Sequence, residues 1–296
     1  MAAPDEVVGV GGVGAVGEGE VGADGEIGES VDAGGVRTNY LQAGDGPPVV
    51  LVHGSGPGVT AYANWRLTIP GLAQRFRVLA PDMAGFGTSD KPGGYGMALW
   101  TDQLIAFLDA LGLERVSLVG NSFGGGLAIR IAVEHPDRVQ RLVLMGAAGV
   151  DFPITEGLDA VWGYEPSVAN MRRIMDFFAH DRGLVNDELA ELRYRASTRP
   201  GTHEAFSSMF PPPRQRWVRE LATDEEAIRA IPHETLIVHG RDDRVIPLQN
   251  SLRLLELIER SELHVFGRCG HWTQIEWAEE FTELLVRFLA RPDRKD

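Results

Sequence analysis

A serine with glycines on both sides lies where an apolar segment gives way to a helix-like one. Residues 116–126 read Val-Ser-Leu-Val-Gly-Asn-Ser-Phe-Gly-Gly-Gly, so Ser122 occupies a Gly-x-Ser-x-Gly motif between a predicted strand and a predicted helix. Such a tight turn needs small residues, here Gly120 and Gly124, because its two limbs approach each other closely. A serine that merely capped the helix would need no flanking glycines. The motif therefore predicts a nucleophile elbow, which presents the serine hydroxyl at the edge of a sheet.

A serine hydroxyl becomes a useful nucleophile only when a base takes its proton. His271 is the candidate base, because it follows the last predicted strand of the chain. A carboxylate on the second imidazole nitrogen would fix the histidine tautomer and stabilise the imidazolium. Asp242 and Asp243 both follow the preceding predicted strand, and spacing alone leaves both open. We favour Asp243, which directly precedes an Arg-Val-Ile-Pro turn.

The segments that would position these side chains alternate between strands and helices. Apolar runs predict strands at residues 36–41, 48–53, 77–82, 116–120, 139–146, 235–240 and 263–266. Apolar residues at helical spacing predict a helix at 97–111. This alternation is typical of a mostly parallel sheet flanked by helices, and the candidate side chains would meet where parallel strands end. The prediction is an α/β protein with the alpha/beta-hydrolase fold.

The chain divides into three predicted parts. Residues 26–150 and 222–291 form the predicted core, whereas the rhythm of strands breaks at residues 151–221. This inserted segment contains predicted helical fragments rich in Met, Phe and Trp, at residues 151–153, 162–166, 171–180, 187–195 and 206–213. Its place beside the elbow predicts a lid over the active site. A helical subdomain that only packs against the core is the alternative. Residues 1–25 are acidic and rich in glycine and valine, and we predict that they form a disordered tail.

Composition excludes several classes of partner. The 296 residues are 44% hydrophobic, enough for a sizeable core, and the formal net charge of -14 argues against nucleic-acid and anionic-membrane partners. No apolar run approaches the roughly 18 residues that a transmembrane helix needs. The single cysteine, Cys269, precludes an internal disulfide. These features favour a cytoplasmic enzyme.

Several motifs along the chain form a recognisable combination. They are His-Gly-Ser-Gly-Pro-Gly at 53–58, Pro-Asp-Met at 81–83, Gly-Asn-Ser-Phe-Gly-Gly-Gly at 120–126, Leu-Met-Gly at 144–146 and Gly-Arg-Cys-Gly-His-Trp at 267–272. Together they resemble the meta-cleavage product hydrolases, which hydrolyse carbon–carbon bonds in bacterial aromatic degradation. The resemblance runs from about Glu26 to Leu289. In the inserted segment, residues 162–167 and 209–217 resemble the branch that acts on 2-hydroxymuconate semialdehyde and alkyl-substituted ring-fission products.

The resemblance implies specific roles for residues of this chain. Ser122 would be the nucleophile, Asp243 the acid and His271 the base. The backbone N–H groups of Ser55 and Phe123 would form the oxyanion hole, and the amide after an elbow nucleophile is indeed free at a helix N-terminus. The residues implied in substrate binding are Asn64, Asn121, Arg193 and Trp272 at the carboxylate and dienol end, and Trp162 beside the acyl end.

The implied substrate is a small-molecule dienoate of the 2-hydroxy-6-oxo-hexa-2,4-dienoate type. Hydrolysis of its carbon–carbon bond would give 2-hydroxypenta-2,4-dienoate and a small carboxylic acid, and the resemblance implies no cofactor and no metal. The substituent on carbon 6 stays open, as does the oligomeric state, for which a homodimer and a homotetramer are options. A carboxylesterase on the same scaffold and a non-catalytic hydrolase-fold ligand receptor are the alternatives.

Overall fold

The computed structural model describes residues 25–292 of the chain. The predicted disordered tail at residues 1–25 therefore lies outside the described residues, except for Gly25. No helix within residues 25–292 has the length and apolar character that crossing a membrane requires.

The described residues form one eight-stranded sheet with helices on both faces. The strands are β1 (Glu29–Ala33), β2 (Val36–Ala43), β3 (Pro48–Val52), β4 (Arg77–Pro81), β5 (Val116–Asn121), β6 (Val139–Met145), β7 (Thr235–Gly240) and β8 (Ser261–Phe266). The α-helices are α1 (Ala61–Trp65), α2 (Ile69–Leu72), α3 (Met97–Ala110), α4 (Phe123–Glu134), α5 (Glu156–Trp162), α6 (Val168–Phe178), α7 (Asp187–Ser197), α8 (Thr202–Met209), α9 (Gln215–Leu221), α10 (Glu225–Arg229), α11 (Leu248–Leu257), α12 (Thr273–Glu276) and α13 (Ala278–Leu289).

The strand order across the sheet is β1-β2-β4-β3-β5-β6-β7-β8. β1 pairs antiparallel with β2, and β2 pairs antiparallel with β4. All pairings among β3 to β8 are parallel. A mostly parallel sheet covered by helices confirms the predicted fold class.

The predicted strands correspond to β2 through β8 and differ from them only at their ends. The sequence prediction missed β1, in which every residue except Ala33 is exposed or half-buried. β1 forms one edge of the sheet, so it needs no continuous apolar run. A polar strand of this kind carries no hydrophobic pattern that a sequence reading could detect.

The central strand β5 anchors both faces of the sheet. All six of its residues are buried, and successive side chains point to opposite faces. Leu118 packs in the same apolar cluster as Phe107 of α3 and Leu127 of α4. Val119 packs in a second cluster with Phe281 of α13. The carboxyl end of β5, where the elbow begins, is therefore held from both sides.

The turn from β5 into α4 leaves no room for side chains at its glycines. A Cβ atom on Gly120 would lie 2.2 Å from the carbonyl oxygen of Gly124, and one on Gly124 would lie 2.4 Å from the carbonyl oxygen of Val52 in β3. Real Cβ atoms essentially never come within 3.0 Å of another heavy atom. The predicted requirement for small residues at both positions is confirmed.

Five helices, α5 to α9, lie between β6 and α10, and we refer to them as the inserted helices. The side chains of Thr155, Ser167 and Asn186 cap α5, α6 and α7, each accepting a hydrogen bond from the backbone N–H three residues further on. These caps fix where each helix begins within a segment that is interrupted by proline and glycine.

Two of the helical fragments predicted in this segment, at 171–180 and 187–195, correspond to α6 and α7. The fragment predicted at 206–213 is only partly helical, since α8 ends at Met209. The three prolines that follow at 211–213 have no N–H group to continue the helical hydrogen-bond pattern. The fragments predicted at 151–153 and 162–166 are not helical, apart from Trp162 at the end of α5.

The close approach at Gly120 yields a stability test. We expect Gly120→Ala to lower the free energy of unfolding by at least about 2 kcal/mol, because the added methyl group would force rigid backbone segments apart. Gly96→Ala is the matched control, since its Cβ atom would have no neighbour closer than 3.8 Å and its backbone is extended. Denaturant titration measures both variants. Equal midpoints for the two would show that the elbow accommodates a side chain.

Candidate active site

Ser122 joins β5 to α4 with a backbone φ of 55°. Residues other than glycine rarely adopt such a φ, and the strain costs about 1–3 kcal/mol. Neighbouring backbone holds the turn, because Ser122 N donates to the carbonyl oxygen of Met145 at 2.9 Å and Ser122 O accepts from Ala148 N at 3.1 Å. Although Ser122 precedes α4, its side chain makes no capping hydrogen bond. The hydroxyl is thus left free for chemistry.

His271 and Asp243 form a buried hydrogen-bonded pair. His271 Nδ1 lies 2.7 Å from Asp243 Oδ2, and the two side chains are 4% and 1% exposed. The other carboxylate oxygen, Oδ1, accepts hydrogen bonds from Val245 N at 2.7 Å and Ile246 N at 3.0 Å. An ionised Asp243 would accept a hydrogen bond from Nδ1–H of His271, which leaves His271 Nε2 free to act as a base.

The balance of forces on Asp243 keeps it ionised. Burial, the largest single effect, raises the pKa of its carboxyl. The charge and hydrogen bond of His271, the neighbouring His239 and the hydrogen bond from Val245 together outweigh burial and hold that pKa below the usual value. Asp243 is therefore an anion at neutral pH, as an orienting acid must be.

Asp242, the alternative acid, lies away from His271. Its side chain is 33% exposed, with one carboxylate oxygen 3.6 Å from His180 Nδ1 and 3.4 Å from Arg241 Nη2. The structure thus brings Asp243, and not Asp242, against the candidate base.

His239, at the end of β7, supports the loop that carries Asp243, a role that no motif in the sequence indicated. Its Nε2 lies 3.0 Å from the carbonyl oxygen of Ile246, and its Nδ1 lies 2.7 Å from Ser251 Oγ. Burial lowers the pKa of this imidazole, which favours its neutral form. Only its position directly upstream of the acid loop could have signalled this role.

The loop that carries His271 is fastened to the end of α6. His271 N donates to the carbonyl oxygen of Phe178 at 2.7 Å, and the Phe178 ring lies nearly parallel to the Trp272 ring at a centroid distance of 5.2 Å. The Glu276 carboxylate accepts from Gly270 N at 2.6 Å and from His180 N at 2.8 Å. Glu276 therefore bridges the histidine loop and the inserted helices, a role that no motif in the sequence indicated.

The two predicted oxyanion-hole residues lie on either side of the nucleophile's turn. Phe123 is the first residue of α4, where an amide has no acceptor within the helix. Its ring packs against Trp100 at a centroid distance of 4.7 Å, so its backbone alone can serve the site. Ser55 follows β3, lines the same cavity as Ser122, and accepts a hydrogen bond at its Oγ from Trp162 Nε1 at 3.1 Å.

His53 holds the loop that contains Ser55. Its Nδ1 donates to the carbonyl oxygen of Gly54 at 2.8 Å, while its Nε2 accepts from Met83 N at 3.0 Å. The same loop is held from the other side, because Gly54 N donates to Asn64 Oδ1 at 3.2 Å. The backbone around Ser55 is fixed before any ligand arrives.

A narrow cavity of about 50 Å³ opens beside Ser122 and His271. Its other polar lining side chains are Ser55, Asn64, Asn121, Arg193 and Trp272. Its apolar lining includes Leu158, Val161, Met171, Ile174, Met175, Phe178 and Val245. Most of the apolar group belongs to the inserted helices, which therefore form one wall of the cavity.

Trp162 does not line this cavity, although it was expected beside the acyl end. Its ring stacks on Phe210 at a centroid distance of 4.4 Å, and its N–H donates to Ser55 Oγ. Trp162 thus supports the Ser55 loop from behind.

Two hydrogen-bond donors that face the cavity have no partner among the described residues. The Arg193 guanidinium on α7 makes none of the hydrogen bonds or ion pairs found within residues 25–292, and Asn64 Nδ2 is buried without an acceptor. Burial lowers the pKa of Arg193 to about 10, against the opposing effect of Glu26, so it remains a cation at neutral pH. Within the same residues, no group of three or more His, Cys, Asp or Glu side chains could hold a metal ion. The free donors suit an anionic, oxygen-bearing ligand.

The fold and the site together define a serine hydrolase with the alpha/beta-hydrolase fold, and comparison with known proteins agrees. A family model for the alpha/beta hydrolase fold matches residues 47–278. A 2-hydroxymuconate semialdehyde hydrolase from Pseudomonas sp. (strain CF600) is 62% identical over 90% of this chain and 95% of its own. A 2-hydroxy-6-oxo-2,4-heptadienoate hydrolase from Pseudomonas putida strain F1 is 64% identical over 90% of this chain and 98% of its own.

A solved structure narrows the family further. A serine-to-alanine mutant of the meta-cleavage product hydrolase from Pseudomonas fluorescens IP01, complexed with acetates, superposes with a TM-score of 0.88. It shares 60% sequence identity and covers 89% of this chain and 98% of its own. The chain belongs to the meta-cleavage product hydrolases.

The geometry predicts how the two adjacent aspartates differ. We expect Ser122→Ala and His271→Ala to abolish nearly all turnover, and Asp243→Asn to lower kcat by about 10⁴, as in other serine triads. Asp242→Asn should lower kcat by less than about threefold, since an exposed carboxylate away from the imidazole contributes little. Steady-state kinetics on a ring-fission dienoate measures all four. A severe loss in Asp242→Asn with a mild one in Asp243→Asn would reverse the assignment of the acid.

Proposed function

We propose that this protein hydrolyses the carbon–carbon bond of 2-hydroxy-6-oxo-hexa-2,4-dienoate type ring-fission products. The products are 2-hydroxypenta-2,4-dienoate and a small carboxylic acid, within the degradation of aromatic compounds. The observation that carries the proposal is the unpartnered Arg193 cation in the cavity of Ser122 and His271. An ordinary esterase has no need of a half-buried, unpaired cation there, whereas a dienoate carboxylate supplies the missing partner. The names of the two Pseudomonas relatives support the same substrate class.

The first step in the proposed mechanism is ketonisation of the bound dienol. The 2-hydroxyl oxygen loses its proton and carbon 5 gains one, so that a carbonyl is conjugated to the bond that will break. Arg193 and Asn64 would hold the carboxylate and the neighbouring oxygen, together with Asn121 and Trp272. A guanidinium fork fits a planar carboxylate through two parallel hydrogen bonds. Without this carbonyl, breaking the bond between carbons 5 and 6 would leave an unstabilised carbanion.

Cleavage then follows the logic of acyl transfer. Ser122 Oγ attacks carbon 6 while His271 Nε2 takes its proton, and the amides of Ser55 and Phe123 bind the oxyanion. Collapse breaks the bond between carbons 5 and 6, and the electron pair moves through the conjugated chain to the C2 oxygen, which takes the proton from His271. Water activated by His271 finally hydrolyses the acyl-Ser122 ester. Asp243 stabilises the imidazolium in both halves of the reaction.

The inserted helices, within residues 151–221, are proposed to act as a lid on a core formed by residues 26–150 and 222–291. In support, α5, α6 and α7 each contribute side chains to the cavity wall. A covered cavity would exclude bulk water during ketonisation and cleavage.

We further propose that the enzyme works in the cytoplasm. Cys269 is a free, buried thiol whose pKa burial raises to about 12, and a protein without disulfides suits a reducing compartment. The homodimer and the homotetramer remain open predictions for its assembly, which light scattering would test.

The role of Arg193 distinguishes dienoate hydrolysis from esterase activity. We expect Arg193→Gln to lower kcat/KM for the dienoate by a factor of about 10² or more, because a charge-assisted bidentate contact is lost in the transition state. Hydrolysis of the neutral ester p-nitrophenyl acetate should change by only about threefold. Arg193→Lys, which keeps the charge but not the forked guanidinium, should lower kcat/KM for the dienoate by less than Arg193→Gln does. Equal losses on both substrates would restore the esterase alternative.

The narrow cavity predicts a preference for small groups on carbon 6. We expect kcat/KM to fall by about tenfold or more from the semialdehyde and methyl substrates to the phenyl one, since a ring would overpack the walls formed by α5 and α6. Loss of the substrates' visible absorbance measures the series. A phenyl substrate turned over as fast as the methyl one would show that methionines such as Met171 and Met175 move aside.

A further inference from the structure

A second cavity, of about 140 Å³, adjoins the first at Arg193. We call it the outer cavity. It is lined by three arginines, Arg66, Arg193 and Arg199, together with Glu26, Tyr62 and Leu192. Arg193 lines both cavities. The space beside the nucleophile and the outer cavity therefore share one charged side chain as their common wall.

The outer cavity carries an excess of positive charge. Its three guanidinium groups face one carboxylate, Glu26, which leaves two positive charges unbalanced. Glu26 forms an ion pair with Arg199. Arg66 donates to the carbonyl oxygen of Ala63 at 2.8 Å and makes no ion pair within residues 25–292, and Arg193 likewise has none.

This local charge contrasts with the chain as a whole, whose formal net charge is -14. An anion that approaches such a protein is repelled by its average surface and collects only where cations predominate. The arginines are near enough to one another for Arg66 and Arg199 to lower the pKa of Arg193, after the larger effect of burial.

We propose that the outer cavity is the entrance through which the anionic substrate reaches Ser122, with Arg66 and Arg199 drawing the carboxylate toward Arg193. This inference rests on the proposed function, since it needs a substrate with a carboxylate. Arg66 and Arg199 attract the anion in the outer cavity. Arg193 can then bind it from the side of the nucleophile, because Arg193 lines both cavities. Glu26 opposes the attraction by neutralising Arg199. Tyr62 and Leu192 offer an apolar wall for the hydrocarbon part of the dienoate.

The test compares charge variants of the full-length protein at low and high salt. At about 0.02 M salt, Arg66→Gln should lower kcat/KM for the dienoate by about fivefold, and Glu26→Gln should raise it by about threefold, since it frees Arg199. At about 0.5 M salt both effects should shrink below about 1.5-fold, because the screening length falls to a few ångströms. The opposite signs are the decisive feature, as damage to the fold would lower the rate in both variants.

Three controls separate steering from other causes. Arg66→Lys keeps the charge and should stay within about twofold of the unchanged protein. Arg287→Gln removes an exposed charge on α13, lines neither cavity, and should leave kcat/KM unchanged. Hydrolysis of p-nitrophenyl acetate should be unaffected in every variant, which also shows that each variant folds.

The outcomes that overturn the inference differ from those that overturn the proposed function. The outer cavity is no entrance if the unchanged protein turns over the dienoate but Arg66→Gln and Glu26→Gln leave its kcat/KM unchanged or shift it in the same direction. The same conclusion follows if the two variants affect ester hydrolysis and dienoate turnover equally. Losses that persist at high salt would assign Arg66 a packing role and refute steering. Ester hydrolysis without any dienoate turnover would instead refute the proposed function.

Discussion

The positive φ of Ser122 is the constraint around which the active site is built. A serine in this conformation is strained, so it persists only because the surrounding structure permits no other path for the chain. β5 supplies that rigidity from the centre of the sheet, and Gly120 and Gly124 allow β3, β5 and α4 to meet without side chains between them. The amide of Phe123 takes its position directly from this turn, because Phe123 follows Ser122 as the first residue of α4.

The two charged side chains of the site, Asp243 and Arg193, differ in how far the protein compensates their charge. Asp243 receives hydrogen bonds at both oxygens and lies beside two histidines, so its charge is compensated within the protein. Arg193 is half-buried and makes no ion pair or side-chain hydrogen bond within residues 25–292, although Glu26 lies near enough to raise its pKa. A partly desolvated charge without a direct partner is costly. The compensated anion serves the proposed catalytic triad, and the unpaired cation is available to the carboxylate of the proposed substrate.

The sequence predicted those features whose causes are local. The elbow at Ser122 and the parallel strands follow from glycine spacing and apolar runs, which physical chemistry connects directly to backbone conformation. Asp243 was favoured from its place before the Arg-Val-Ile-Pro turn, but spacing alone left Asp242 open, because only the fold shows which of the two side chains points at His271. The supporting roles of His239 and Glu276 depend on contacts between distant segments, and no pattern within either segment announces them. Trp162 shows the same limit, since its residue type does not distinguish a side chain that lines the cavity from one that supports the Ser55 loop behind the lining.

The bridge made by Glu276 has a consequence for the order of events in a catalytic cycle. Its carboxylate holds both the loop of His271 and the residues that follow α6, and His271 itself is bonded to Phe178 at the end of that helix. The C-terminal end of α6 therefore cannot swing outward while the imidazole stays in register with Ser122. An opening that moved this end of α6 would break these hydrogen bonds and displace His271 from the triad. In such an open form Ser122 would have no base, so a substrate bound before closure would not be attacked.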